Sequence, residues 1–162
     1  MPDVSALNLP DPIKIAIPAF LLLILVEIVV AKAGSDVEFE LRDTAASLVM
    51  GLGNKAITGL TGIITFAASV WAYQFRFFDL PTDAAWVLVA LFFCEDFIYY
   101  WHHRFGHRCR WGWASHVNHH SSQHYNLSTA LRRPWTLFVS GSWVLWLSLA
   151  LIGFHPVLIV FQ

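Results

Sequence analysis

Charged side chains are scarce. They make up 13% of the 162 residues, where a soluble domain carries about 25%. Neither sign dominates: ten Lys and Arg face eleven Asp and Glu, for a formal net charge of -1. That balance excludes a basic nucleic-acid binder and predicts no nucleic-acid partner. Cysteine is nearly missing. Cys94 and Cys109 are too few for a disulfide framework and read as free thiols of a reducing compartment. No internal repeat and no low-complexity tract is present, and the length suits one domain rather than two. What fills the chain instead is apolar. Hydrophobic residues reach 57% and mean hydropathy is +0.56, which excludes a disordered chain and predicts an integral membrane protein.

The apolar runs predict an all-α membrane protein of about four transmembrane helices, organised as a single membrane domain over residues 1–162. Residues 1–12 form a Pro- and Asp-punctuated lead-in. Ile13–Ala31 is a 19-residue apolar run broken only by Lys14, Pro18 and Glu27, about the length a spanning helix needs. Ala31-Lys32-Ala33 before Gly34 has the small-residue look of a signal-peptide cleavage site, but Asp3 and Asp11 replace the expected positive lead. A retained helix is the better reading. A weaker span runs from about Ala45 to Tyr73, with Gly51, Gly53, Gly59 and Gly62 suggesting close helix packing or a broken helix. Ala84–Trp101 is the third span and Trp135–Phe154 the fourth. Residues 155–162 start a further apolar segment.

Five of the ten basic residues lie between Arg104 and Arg133. Lys and Arg mark cytoplasmic loops, so residues 102–134 should form a cytoplasmic cap, with Lys32–Arg42 on the same side and Phe77–Asp83 opposite. The arginines read first as topology signals, and Arg132 and Arg133 at an expected helix start as lipid-headgroup contacts.

Seven of the eight histidines (His102, His103, His107, His116, His119, His120 and His124) fall within 23 residues. On a helix, Asp96, Tyr100, His103 and His107 share one face, so His103 and His107 can reach one metal from adjacent turns. His116 pairs likewise with His119 and His120. Neutral imidazole suits Fe, Zn, Cu and Ni. Five imidazoles exceed the needs of one tetrahedral site and predict more than one metal. Asp96 is placed to accept the free N–H of a ligating histidine. His124 is an additional candidate ligand. His102 lies on another face, and His155 is expected to be structural.

The stretch Asp96–Trp135 resembles the core of the fatty acid hydroxylase/sterol desaturase superfamily. The resemblance rests on His103-Arg104-x-x-His107, on His116-x-x-His119-His120-Ser121, and on Tyr125-Asn126-Leu127-Ser128-Thr129-Ala130-Leu131-Arg132. It implies a membrane-bound non-haem oxygenase with two iron ions, zinc being a substitute, that uses O2 to hydroxylate or desaturate a lipid alkyl chain or sterol. It further implies His103, His107, His116, His119 and His120 as ligands and Asn126 as a residue behind them. An external electron donor, cytochrome b5-like or ferredoxin-like, and a bacterial inner membrane or endoplasmic reticulum location follow from the same likeness. Such proteins carry a third histidine cluster after a further apolar segment, and no such cluster occurs before Gln162. The chain as given is therefore expected to be catalytically weak.

Two rivals remain at this level: a catalytically incomplete metal-binding membrane fragment, and a zinc-dependent membrane hydrolase. A hydrolase of the His-Glu-x-x-His type needs a glutamate as general base, and Arg104, Phe105 and Gly106 stand between His103 and His107 instead.

Overall fold

A computed structural model describes residues 12–34 and 39–161 of the chain. The expected lead-in and the middle of the polar loop after Gly34 lie outside the described residues. The architecture is all-helical, with no strand among the described residues. In chain order the helices are α1 (Pro12–Lys32), α2 (Leu41–Tyr73), α3 (Ala85–Arg108), α4 (Arg110–His116), α5 (Leu147–Ile152) and α6 (Pro156–Phe161). Short 3₁₀ turns cover Val117–His120, Leu127–Leu131 and Ser142–Trp146.

Local chemistry sets the ends. Pro12 opens α1, where its fixed φ suits the first helical position, and Pro18 removes one helical hydrogen bond without ending the helix. Lys32 lies in the last turn, matching the helix dipole. Gly34, at φ +106°, then takes the left-handed conformation that closes many helices. At the start of α2 the Glu40 carboxylate accepts the Asp43 N–H at 2.7 Å, and Asp43 puts negative charge in the first turn.

The described residues divide into two compact units. One contains Thr58–Ser115 and the residues after Trp135. Its core is Val87, Leu91, Ile98, Leu149, Phe154 and Leu158. Val87, Leu91 and Ile98 recur at helical spacing and define the buried face of α3. His102, one turn beyond Ile98, follows that face, and its ring meets Trp146 at 5.4 Å. The Arg76–Leu80 loop is tied down by the Phe77 and Phe78 N–H groups, which donate to the carbonyls of Leu151 and Ile152. Gly112 lets α4 fold back on the end of α3, since a Cβ there would stand 2.8 Å from the Phe105 ring and carbonyl.

The other unit contains the residues up to Ile57 and His116–Trp135. Here the glycines of α2 find their use. A Cβ on Gly51 would meet the Leu131 carbonyl at 2.9 Å, and one on Gly53 would enter the Trp135 indole. Trp135 Nε1 donates to the Met50 carbonyl, and Asn54 Nδ2 to that of Pro134. Gly59 and Gly62 face open space. The helix is packed closely along one stretch and is unbroken.

Among the described residues, two helices are long and apolar enough to cross a membrane, Lys14–Lys32 and Leu41–Tyr73. Their apolar side chains are turned outward, among them Leu22, Leu25, Val29, Leu60 and Ile63. The expected fourth span differs. Trp135–Phe154 is not one helix but turns, a 3₁₀ segment and the six residues of α5. Gly141 at φ +74° interrupts it, and Ser140 Oγ is turned back to the Leu137 carbonyl. Hydropathy registers apolar length and cannot register that interruption.

Candidate metal centre

The last turns of α3 carry His103 and His107. Their i, i+4 spacing sets the rings 4.7 Å apart and tilted at 49°, and brings the two Nε2 atoms to 3.0 Å. Tyr99 and Trp113 flank them, 6.0 Å from the His103 ring and 5.7 Å from the His107 ring. His103 is half-buried and His107 exposed.

In the second unit, His116 ends α4 and the chain tightens into the Val117–His120 turn. The tightening keeps His116 and His120 together, with Nε2 atoms 3.1 Å apart. His119 is oriented differently. Its Nδ1 lies 3.2 Å from the Arg132 carbonyl. A carbonyl can only accept, so Nδ1 carries the proton and Nε2 keeps its lone pair. His119 is 5.7 Å from the His116 ring and 5.2 Å from that of His120.

Each pair fits a metal by its own geometry. Metal–imidazole bonds are about 2.0–2.1 Å, so two nitrogens at right angles on one ion stand about 3 Å apart. Both Nε2 pairs have that separation. The all-nitrogen donor set suits iron, zinc, copper or nickel and does not select among them.

The remaining candidates sit elsewhere. Asp96 is exposed. Seven residues of helix put it about 10 Å along the axis from His103. Asn126 is buried and caps the Leu127–Leu131 turn, its Oδ1 accepting from Ser128 N at 3.1 Å and Ser128 Oγ at 2.5 Å. His124 is half-buried, with its backbone N–H on Ser122 Oγ. His155 packs its ring against Tyr73 at 5.3 Å, a structural placement.

The sequence profile of the fatty acid hydroxylase family matches residues 87–162. Over this segment the chain is similar to the fatty acid hydroxylase family. Among curated proteins it is similar to alkylglycerol monooxygenase of Danio rerio, 37% identical over 90% of this chain and 33% of that protein. The Homo sapiens protein of the same name is 36% identical over 89% of this chain and 33% of its own length. The Caenorhabditis elegans one is 35% identical over 62% and 20%. The chain thus spans about a third of the length of the Danio rerio and Homo sapiens proteins. No solved structure matches it.

All the candidate histidines lie inside the fatty acid hydroxylase segment. Several contacts around them were not foreseen from the sequence. Arg132, expected at the surface as a topology signal and headgroup contact, is buried. Its Nη2 meets Asp43 Oδ1 at 2.6 Å, outside the family segment and 89 residues away. Ser47, Ser121 and Ser122 complete that network. Glu27, read in the sequence as an interruption of the first apolar run, accepts the Leu127 N–H at 2.8 Å. Only the Asn-x-Ser cap at Asn126 carried a local signal. The others depend on contacts distant in sequence.

Proposed function

We propose that the chain is the metal-binding part of a membrane-bound, O2-dependent oxygenase acting on the alkyl chain of a lipid, an ether-linked alkylglycerol being the substrate class. One observation carries the reading. Two imidazole pairs with metal-ligand spacing lie within a segment matched to the fatty acid hydroxylase family. The name of the relatives points to the substrate class.

His103 and His107 would hold metal through their paired Nε2 atoms, and His116 and His120 through theirs, with His119 joining the second pair through the nitrogen left free by its bond to Arg132. Asn126, by capping the next turn, would steady the chain behind that set. When bound, two iron ions would supply O2 activation and the one-electron chemistry that C–H oxidation needs. The chain's own part is to hold and orient the ligands and to offer apolar surface to the lipid tail. An external donor, cytochrome b5-like or ferredoxin-like, would supply the electrons.

The reading includes a multi-pass topology with the histidine segment cytoplasmic. α1 and α2 are its best-supported spans, and α3 is a candidate third. The Asp43–Arg132 ion pair supports placing the start of α2 on the same side as the histidine segment.

The test is oxidation of an alkylglycerol by the protein in membranes, supplied with iron(II), O2 and reductant, with products followed by mass spectrometry. An oxygenated product that requires O2 and disappears in His107→Ala is expected. Hydrolysis products formed equally without O2 would overturn the proposal.

A further inference from the structure

Ion pairs inside proteins are weak evidence for stability. Removing two charges from water costs several kcal/mol per ion, and well-packed apolar residues often serve as well. The pair between Arg132 and Asp43 is such a case, with side chains only 8% and 14% exposed. Its partners are therefore informative.

The Arg132 guanidinium is almost fully used. Nε donates to Ser47 Oγ at 3.2 Å, and Nη2 to Asp43 Oδ1 at 2.6 Å and to the Asp43 carbonyl at 3.0 Å. Nη1 donates to Ser121 Oγ at 2.9 Å. The backbone of the same residue accepts from His119 Nδ1. The other carboxylate oxygen, Asp43 Oδ2, accepts from Ser122 Oγ at 2.5 Å. Of the four residues from His119 to Ser122, three are bonded directly to one or other member of the ion pair. His120, the fourth, is the one whose Nε2 faces His116.

We infer that Arg132 and Asp43 are positioning residues for the second histidine turn: together they clamp His119 and Ser121–Ser122, and so fix where the His119 and His120 rings point. The inference rests on the metal-centre reading above. It assigns the ion pair to ligand geometry rather than to fold stability. A planar guanidinium can bond Ser47, Asp43 and Ser121 at once, and a lysine ammonium on the same backbone lacks that fork. Groups that orient metal-bound histidines from behind typically change affinity by about 10–100-fold when removed, and the clamp should act in that range.

The experiment is Co(II) titration of the metal-stripped, detergent-solubilised chain. Visible absorption reads ligand number and geometry, and circular dichroism reads helix content. His107→Ala and His120→Ala establish whether Co(II) occupies the histidines. Asp43→Asn, Ser121→Ala and Arg132→Lys test the clamp, and Arg76→Gln, which breaks the exposed Arg76–Asp79 pair, is the control. Weakened Co(II) binding with an altered spectrum is expected in the clamp variants at wild-type helix content. The loss should be about 10–100-fold for Asp43→Asn, with Ser121→Ala and Arg132→Lys between it and wild type.

If Co(II) binding does not depend on His107 or His120, the metal-centre reading falls and takes the inference with it. If the histidine variants lose Co(II) while the clamp variants keep wild-type affinity and spectrum, the inference alone falls, even where those variants melt earlier. Ser121→Ala removes one hydroxyl and leaves the ion pair intact. It therefore decides the matter if the charged-site variants do not fold.

Discussion

Glu27, inside the apolar helix α1, and Leu127, a hundred residues later, are joined by one hydrogen bond: the carboxylate accepts the Leu127 N–H at 2.8 Å. The bond satisfies a donor at the start of the Leu127–Leu131 turn, where helix-type turns leave N–H groups unpaired. Glu27→Leu would make α1 a better apolar span and leave that donor without its acceptor. It should destabilise the protein by about 1–3 kcal/mol, while Glu27→Gln, which keeps an acceptor oxygen, should lose less. Denaturant unfolding in micelles would check the order, and equal stability of the two variants would dismiss the bond as incidental.

The paired histidines make the second prediction. His103→Ala, His107→Ala, His116→Ala and His120→Ala should each strip most of the bound metal, as measured by elemental analysis of purified protein. His155→Ala, against Tyr73 and away from either pair, should retain it. Equal loss in His155→Ala and His107→Ala would remove the ligand assignment.

The glycines of α2 should separate sharply. Gly53→Val drives a branched side chain into the Trp135 indole and should cost about 1–3 kcal/mol by overpacking. Gly59→Ala meets nothing within 4 Å and should be neutral or stabilising by up to about 1 kcal/mol, the usual gain of alanine over glycine in a helix. Melting temperatures would compare them, and a Gly53→Val as stable as wild type would contradict the close packing.

Membrane sidedness can be read at Tyr125, which is 97% exposed. A Tyr125→Cys protein with Cys94 and Cys109 replaced by serine should react with an impermeant thiol reagent only from the cytoplasmic side of sealed vesicles. Labelling only from the opposite side would reverse the topology.

The imidazole pairs were legible because helical periodicity is local: four residues of spacing placed His107 near His103 and His120 near His116. The same arithmetic placed His102 on a different face, and it lies against Trp146. Asp96 shared the histidine face but stands too far along the axis for a direct bond. Spacing alone could not orient His119, because its Nδ1 is fixed by a carbonyl thirteen residues on. Nor could it find the Asp43–Arg132 pair, whose members are 89 residues apart. Composition read Arg132 as a surface charge, and only a network of partners makes its burial tolerable. The first two apolar runs were recovered as long helices because nothing interrupts them strongly. Trp135–Phe154 had the same apolar content, but Gly141 and the serines beside it supply the turns.

The length of α2 has a mechanical consequence. Its 33 residues make a rod about 50 Å long at 1.5 Å per residue, against a hydrocarbon layer of about 30 Å. If α2 crosses a bilayer with Trp71 and Tyr73 at one interface, the opposite interface would fall near Asn54 and Lys55, and the turns bearing Asp43 and Ser47 would lie beyond it. A thicker bilayer would pull Lys55 toward oil and press on that projecting end. Hydrophobic mismatch would thus be felt at the Asp43–Arg132 ion pair and, if that pair clamps the histidine turn as inferred, would link bilayer thickness to where those rings point.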